Sequence, residues 1–110
     1  MTSEFILVHT TLNSREAAEK FSKEITSAKL SACSQVEGPI TSFYWWQGKL
    51  EEEQEWRCTL KTTQEAYQRL EQKIKEVHPY DTPEIIVIPI LRGSKDYLNW
   101  VEANIDRVSH

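Results

Sequence analysis

The chain has 110 residues, 39% of them hydrophobic and 27% charged, with a formal net charge of −4. That size and balance suit one globular domain, residues 1–110, with a core that needs neither disulfides nor a metal to fold. The acidic balance argues against a partner gripped through nucleic-acid phosphates. No basic amphipathic stretch or run of ~20 apolar residues points to a membrane surface or span.

The start, Met1 to Val8, has no basic segment ahead of the short apolar run Phe5-Ile-Leu-Val8. It does not read as a signal peptide, and the expected location is cytoplasmic. Phe5-Ile-Leu-Val8, continuing through Thr11, predicts a first strand. Asn13 is placed as a helix N-cap, with Glu16 three residues on in capping-box spacing. Ala17, Ala18, Phe21, Ile25 and Ala28 then recur at helical spacing, with Lys20, Lys23 and Glu24 between them, which predicts an amphipathic helix.

From Leu30 to Trp46 there is neither a cap nor a helical stripe. The segment reads as a long strand interrupted at Gly38-Pro39 by a bulge or bend at a sheet edge. Gln47-Gly48-Lys49 is the turn, and Leu50 to Thr62 returns as a second long strand. Trp56, Cys58 and Leu60 fall on one of its faces, and Arg57, Thr59 and Lys61 on the other.

Thr62 and Glu65 are spaced as a second capping box, followed by a helix with Tyr67, Leu70, Ile74 and Val77 on one stripe. Pro79 ends it, because a residue before proline is pushed out of the helical region. Ile85-Ile-Val-Ile88 is apolar at every position, the pattern of a strand buried on both faces. Ser94 caps a third helix with Tyr97, Leu98, Val101 and Ile105 as its stripe.

The predicted order is β-α-β-β-α-β plus a C-terminal helix. This is the α+β ferredoxin-like arrangement, with two helices on one face of a four-stranded antiparallel sheet. Strands of ~13 to 15 residues at ~3.3 Å each span roughly 45 Å, so the hairpin overhangs a domain whose radius of gyration should be ~13 Å. An overhanging aromatic edge needs a neighbour to cover it, and a closed ring of copies is the usual answer. With the turn at residues 47–49, Cys33 falls opposite Thr62 and Thr63 rather than Cys58. A disulfide needs Cα atoms within ~7 Å, so the two cysteines are expected as free thiols within one subunit. No C-x-x-C is present.

Several stretches together match one family. Ala32-Cys33, Ile40-Thr-Ser and Tyr44-Trp-Trp-Gln-Gly-Lys49 come first, then Leu60-Lys-Thr62 and His78-Pro-Tyr80 with Pro83-Glu-Ile85, then Gly93 with Tyr97-Leu98 and Trp100. In this order and spacing the chain resembles the CutA family of divalent-cation tolerance proteins, over nearly its whole length. The resemblance implies a homotrimer similar in subunit architecture to the PII signalling proteins, with the hairpin reaching into neighbours. It also implies a link to tolerance of copper and other divalent ions, and no established reaction. Two positions depart from the pattern: His9 stands where a non-ionisable residue is expected, and Gln35 where Asn is frequent.

Cys33, a soft ligand, and His78, a borderline one, are the candidate metal ligands, a pairing that suits Cu2+. Free cysteines are otherwise usually small buried residues, and a histidine closing a helix can simply fix the turn after it. Lys61, Tyr80 and Glu84 are candidates for a ligand cleft, although a strand lysine also covers apolar surface with its stem. Tyr44, Trp45 and Trp46 at the hairpin tip are the candidate interface between subunits, since tryptophan is enriched at binding hot spots. Glu51, Glu52, Glu53 and Glu55 read as a solvated edge that blocks unwanted pairing. No nucleophile elbow, phosphate loop or H-E-x-x-H motif occurs, so no enzyme activity is expected. The competing reading is a regulatory or scaffolding trimer that takes a small ligand or a partner protein between its subunits.

Overall fold

The computed structural model describes residues 4–107. Strand β1 (Phe5–Leu12) is central. It pairs antiparallel with β3 (Lys49–Thr63) on one side and with β4 (Ile86–Pro89) on the other. β2 (Cys33–Trp46) pairs antiparallel with β3, so the sheet runs β2-β3-β1-β4. Helices α1 (Arg15–Ser27) and α2 (Tyr67–Val77) follow β1 and β3, and α3 (Lys95–Ala103) follows β4. The ferredoxin-like order expected from the sequence is the order found.

Period-two alternation decides which face carries the core. Ile6, Val8 and Leu12 of β1 point the same way as Cys58 and Leu60 of β3, and α1 and α2 close over them with Ala18, Phe21, Ile25, Leu70 and Ile74. Fully burying an aliphatic side chain of this size contributes about 1.5–3 kcal/mol. Phe5, of opposite parity, joins Ala32 in a smaller cluster with Ala66, Val101 and Ile105. α3 therefore covers only one end of the other face, and the rest of that face is open.

β1 ends at Leu12, opposite Trp56 of β3. Beyond that point residues 40–46 and 49–55 pair only with each other, from Ile40↔Glu55 to Trp46↔Lys49. This free half of the hairpin sets the long dimension of a molecule measuring 45 × 26 × 24 Å. Gln47 and Gly48 make the two-residue turn with φ of 50° and 77°, the pattern of a type I′ hairpin. The turn is thus one residue shorter than expected.

The bulge predicted at Gly38-Pro39 is present as a register shift between Glu37 and Ile40. Gly38 has φ +155°, and a Cβ there would lie 2.6 Å from Cδ1 of Trp56. Only glycine lets the indole pack that closely to the backbone.

Several local expectations need correction. The cap of α1 is Ser14, not Asn13: the Ser14 hydroxyl accepts from the Ala17 N–H at 3.0 Å. The capping box at Thr62 and Glu65 does not form, because Thr62 is still in β3 and its hydroxyl donates to the Leu30 carbonyl at 2.8 Å. The N-cap of α2 is Ala66, with no side-chain cap, and the Thr63 hydroxyl accepts from the Ala66 N–H at 3.3 Å in the turn before it. Cys33 pairs with Lys61 rather than with Thr62 or Thr63, and both cysteines are free thiols. In the third helix Val101 is buried, but Tyr97 is exposed. The largest correction concerns β4. It is an edge strand, and Ile86, Val87 and Ile88 are all exposed in the single chain.

Candidate functional site

The open face is a ladder of side chains whose neighbours follow from the strand register. One row holds Cys33, Lys61, Leu7 and Ile88, and the next holds Gln35, Thr59, His9 and Ile86. Glu37, Arg57 and Thr11 form a third row, in which Arg57 and Glu37 make an ion pair at 3.7 Å. Above the first row, the Lys61 ammonium lies 5.4 Å from the ring centroid of Tyr97, which in turn stacks on Trp100 at 5.6 Å. Both aromatic rings remain exposed. The structure therefore brings Cys33 and Lys61 together, on the face that α1 and α2 leave bare.

His78 lies elsewhere. It is the C-cap of α2, held there by Pro79, and it is buried. Its Nε2 lies 2.9 Å from the Thr11 carbonyl, and its Nδ1 accepts the Tyr80 N–H at 3.1 Å. A carbonyl can only accept, so Nε2 carries the hydrogen and Nδ1 the committed lone pair. In this state the ring offers no lone pair to a metal ion. Thr11 is opposite Arg57, whereas Cys33 is opposite Lys61. That offset of four strand positions is about 13 Å, so Cys33 and His78 do not converge within one chain.

Tyr80 packs edge-on against His78 with ring centroids 4.7 Å apart, and its hydroxyl donates to Glu55 at 3.4 Å. Burial, reinforced by the Glu55 carboxylate, pushes the phenol up to about 12, so it stays a donor at neutral pH. Glu84 is exposed in the loop before β4. The six strand positions from Glu55 to Lys61 are roughly 20 Å, so Lys61 and Tyr80 line no common cleft in one chain. Tyr44, Trp45 and Trp46 are exposed at the overhanging tip, with Phe43 and Leu50 beside them. Trp45 pairs with Leu50, so the tip presents aromatic and aliphatic surface together.

Cys58 belongs to the core: burial raises its thiol, and its Sγ lies 3.7 Å from the Ala18 carbonyl. His9 was not among the candidate ligands. It sits mid-strand in β1 on the open face, half-buried, and its ring makes no hydrogen bond among the described residues. Its signal in the sequence was an ionisable side chain in an otherwise apolar and hydroxyl-bearing strand. The described residues hold no group of three or more His, Cys, Asp or Glu placed to bind a metal ion. Among them, no helix is long and apolar enough to cross a membrane.

Fold and surface together define a ferredoxin-like α+β domain with one helix-covered sheet face, one open face and an overhanging aromatic hairpin. Residues 6–104 match the family model described as CutA1 divalent ion tolerance protein. The chain belongs to the CutA1 family. It is 42% identical over 96 residues to the divalent-cation tolerance protein CutA of Pyrococcus horikoshii, covering 87% of this chain and 93% of that one. The CutA1 structure from Oryza sativa superimposes with a TM-score of 0.92 at 34% identity, over 97% of this chain and 98% of that one. The CutA1 crystal structure from the psychrotrophic bacterium Shewanella sp. SIB1 gives 0.93 at 30% identity, over 97% and 100%.

Proposed function

We propose that this chain works in the cytoplasm as a homotrimeric divalent-cation tolerance protein that binds Cu2+ or another divalent ion between its subunits. Family membership supports the tolerance role. The observation that carries the binding role is Cys33, a half-buried free thiol on edge strand β2, facing the open side of the sheet. A thiolate is a soft donor suited to copper. One thiol is not a site, and the described residues of one chain supply no ligand cluster around it. The remaining ligands would therefore come from neighbouring copies. Cys33 rather than His78 is the proposed ligand, since both nitrogens of His78 are committed.

Assembly rests on the same surfaces. An edge strand of exposed Ile86, Val87 and Ile88 and a tip of Tyr44, Trp45 and Trp46 are both liabilities in a lone chain. Burying the tip of one copy against another removes them, and a heterologous contact that closes gives a ring. In that ring Lys61, Tyr80 and Glu84 would meet only across subunits. No catalytic role is assigned.

The test is a Cu(II) titration against a competing chelator, since copper binds stray imidazoles tightly, together with sedimentation. Three copies per particle, and saturable binding that Cys33→Ser weakens about tenfold, are expected. Binding that ignores Cys33→Ser would remove the metal role. A second reading is a regulatory trimer taking a small anion or a partner protein. It is favoured by Lys61, which has no salt bridge among the described residues and lies over Tyr97. It predicts a thermal shift with the anion and no metal, worth ~2.7 kcal/mol at 100 times the dissociation constant.

A further inference from the structure

A buried imidazole that meets backbone groups through both nitrogens can serve them in only one protonation state. At His78 the Thr11 carbonyl requires a hydrogen on Nε2, and the Tyr80 N–H requires a lone pair on Nδ1. A second proton on Nδ1 would face the Tyr80 N–H donor to donor, and that contact has to open. The ring is packed on two sides. Phe21 of α1 closes one side edge-on with ring centroids 5.8 Å apart, and Tyr80 closes another at 4.7 Å.

Tyr80 reaches the hairpin. Its hydroxyl donates at 3.4 Å to Glu55, which is opposite Ile40 in the first pair of the overhanging half. A short chain of contacts thus runs from the end of β1, through His78 and the loop after α2, to the root of the hairpin.

We propose that His78 is an acid-sensitive latch: neutral, it holds the Tyr80 backbone and so ties the loop 79–85 to the hairpin root at Glu55, and protonated, it lets that loop go.

The charges around the ring agree. α1 presents the uncharged Phe21, β1 the Thr11 carbonyl, and the loop the Tyr80 phenol, while Glu55 of β3 is the charged group acting on the imidazole. Burial holds His78 below its ordinary 6.5, against the opposing pull of the Thr11 carbonyl and of Glu55. The unfolded chain therefore takes the proton more readily than the folded one. The latch is fully closed above pH ~6.5 and opens as pH falls through the lowered folded value.

The experiment is an NMR pH titration of the full chain from 7.5 to 4.5. It follows the His78 ring and the backbone amides of Tyr80, Ile40 and Glu55. The three amides are expected to shift with the midpoint of His78, below 6.5. Glu55→Gln keeps an acceptor for the Tyr80 hydroxyl and removes the carboxylate's own titration, so the response should persist in it. His78→Asn puts a non-titrating carboxamide oxygen near the position of Nδ1 and should flatten all three. Tyr80→Phe, which cuts only the hydroxyl link, should keep the response at residue 80 and silence it at residues 40 and 55. A Tyr80 amide indifferent to the His78 titration would overturn the latch. So would shifts at the hairpin root that survive unchanged in Tyr80→Phe.

Discussion

Leu60 and Leu50 lie on the same strand and point to the same side of it, yet Leu60 is 0% exposed and Leu50 62%. The difference is what lies above them. Over Leu60, α1 and α2 bring Phe21, Ile25, Leu70 and Ile74 into one core. Over Leu50 the chain has nothing left to bring, because β1 stops at Leu12 and the hairpin runs on alone. The same apolar residue type is thus used for folding at one end of β3 and left available for association at the other.

Truncating both leucines tests that division most sharply. Leu60→Ala should cost about 2–5 kcal/mol at every protein concentration, because it leaves a cavity in a closed core. Leu50→Ala should change the stability of a dissociated chain by less than ~0.5 kcal/mol. In an assembly that buries the tip, it should weaken association about tenfold, or ~1.4 kcal/mol. Thermal unfolding at two widely spaced concentrations, with sedimentation beside it, separates the two. Equal losses at both concentrations for Leu50→Ala would abolish the distinction.

The junction between the two regions should be the next most sensitive place. Gly38 lies where β2 leaves the body, with Trp56 against its Cα and a positive φ. Gly38→Ala would drive a methyl into the indole and strain the backbone, and should cost about 2 kcal/mol. Part of that loss should appear as weaker association, since the bulge sets the direction in which the hairpin leaves the sheet. Retention of full stability would mean that the indole can move aside, and the aim of the hairpin would then not depend on this glycine.

The regions also differ in how far the sequence discloses them. Helix-covered elements were legible because their spacing is set by what they touch: Leu70 and Ile74 recur at a helical period because one core faces them. The hairpin and its bulge were legible from Gly38, Pro39 and Gly48, whose backbone preferences are local. β4 was misread for a physical reason. Ile86, Val87 and Ile88 carry the pattern of a strand buried on both faces, yet within one chain they are only partly covered, at 50%, 37% and 38% exposure. A run of apolar residues records that a strand favours burial without saying what would supply the cover. The candidate site was the least legible part. His78 looked like a ligand because its type permits it, and only the structure reveals Thr11 and Tyr80 at its two nitrogens. His9 shows in the sequence only as an ionisable residue out of place in β1, since one imidazole in a strand has no motif around it.

The smallest effect concerns the start of α1, where Asn13 and Ser14 are both good cap formers and the helix uses Ser14. Glu16 stands three residues after Asn13, in capping-box spacing. In the structure the cap is Ser14, three residues before Ala17, whose N–H its hydroxyl meets. Ser14→Ala should cost ~1 kcal/mol, and Asn13→Ala only a few tenths. Because α1 covers the core and lies far from the tip, the loss should be the same at every protein concentration and leave association unchanged. Equal losses for the two variants in thermal unfolding would return the cap to Asn13. A concentration-dependent loss in Ser14→Ala would mean that body and hairpin are less separable than the two leucines suggest.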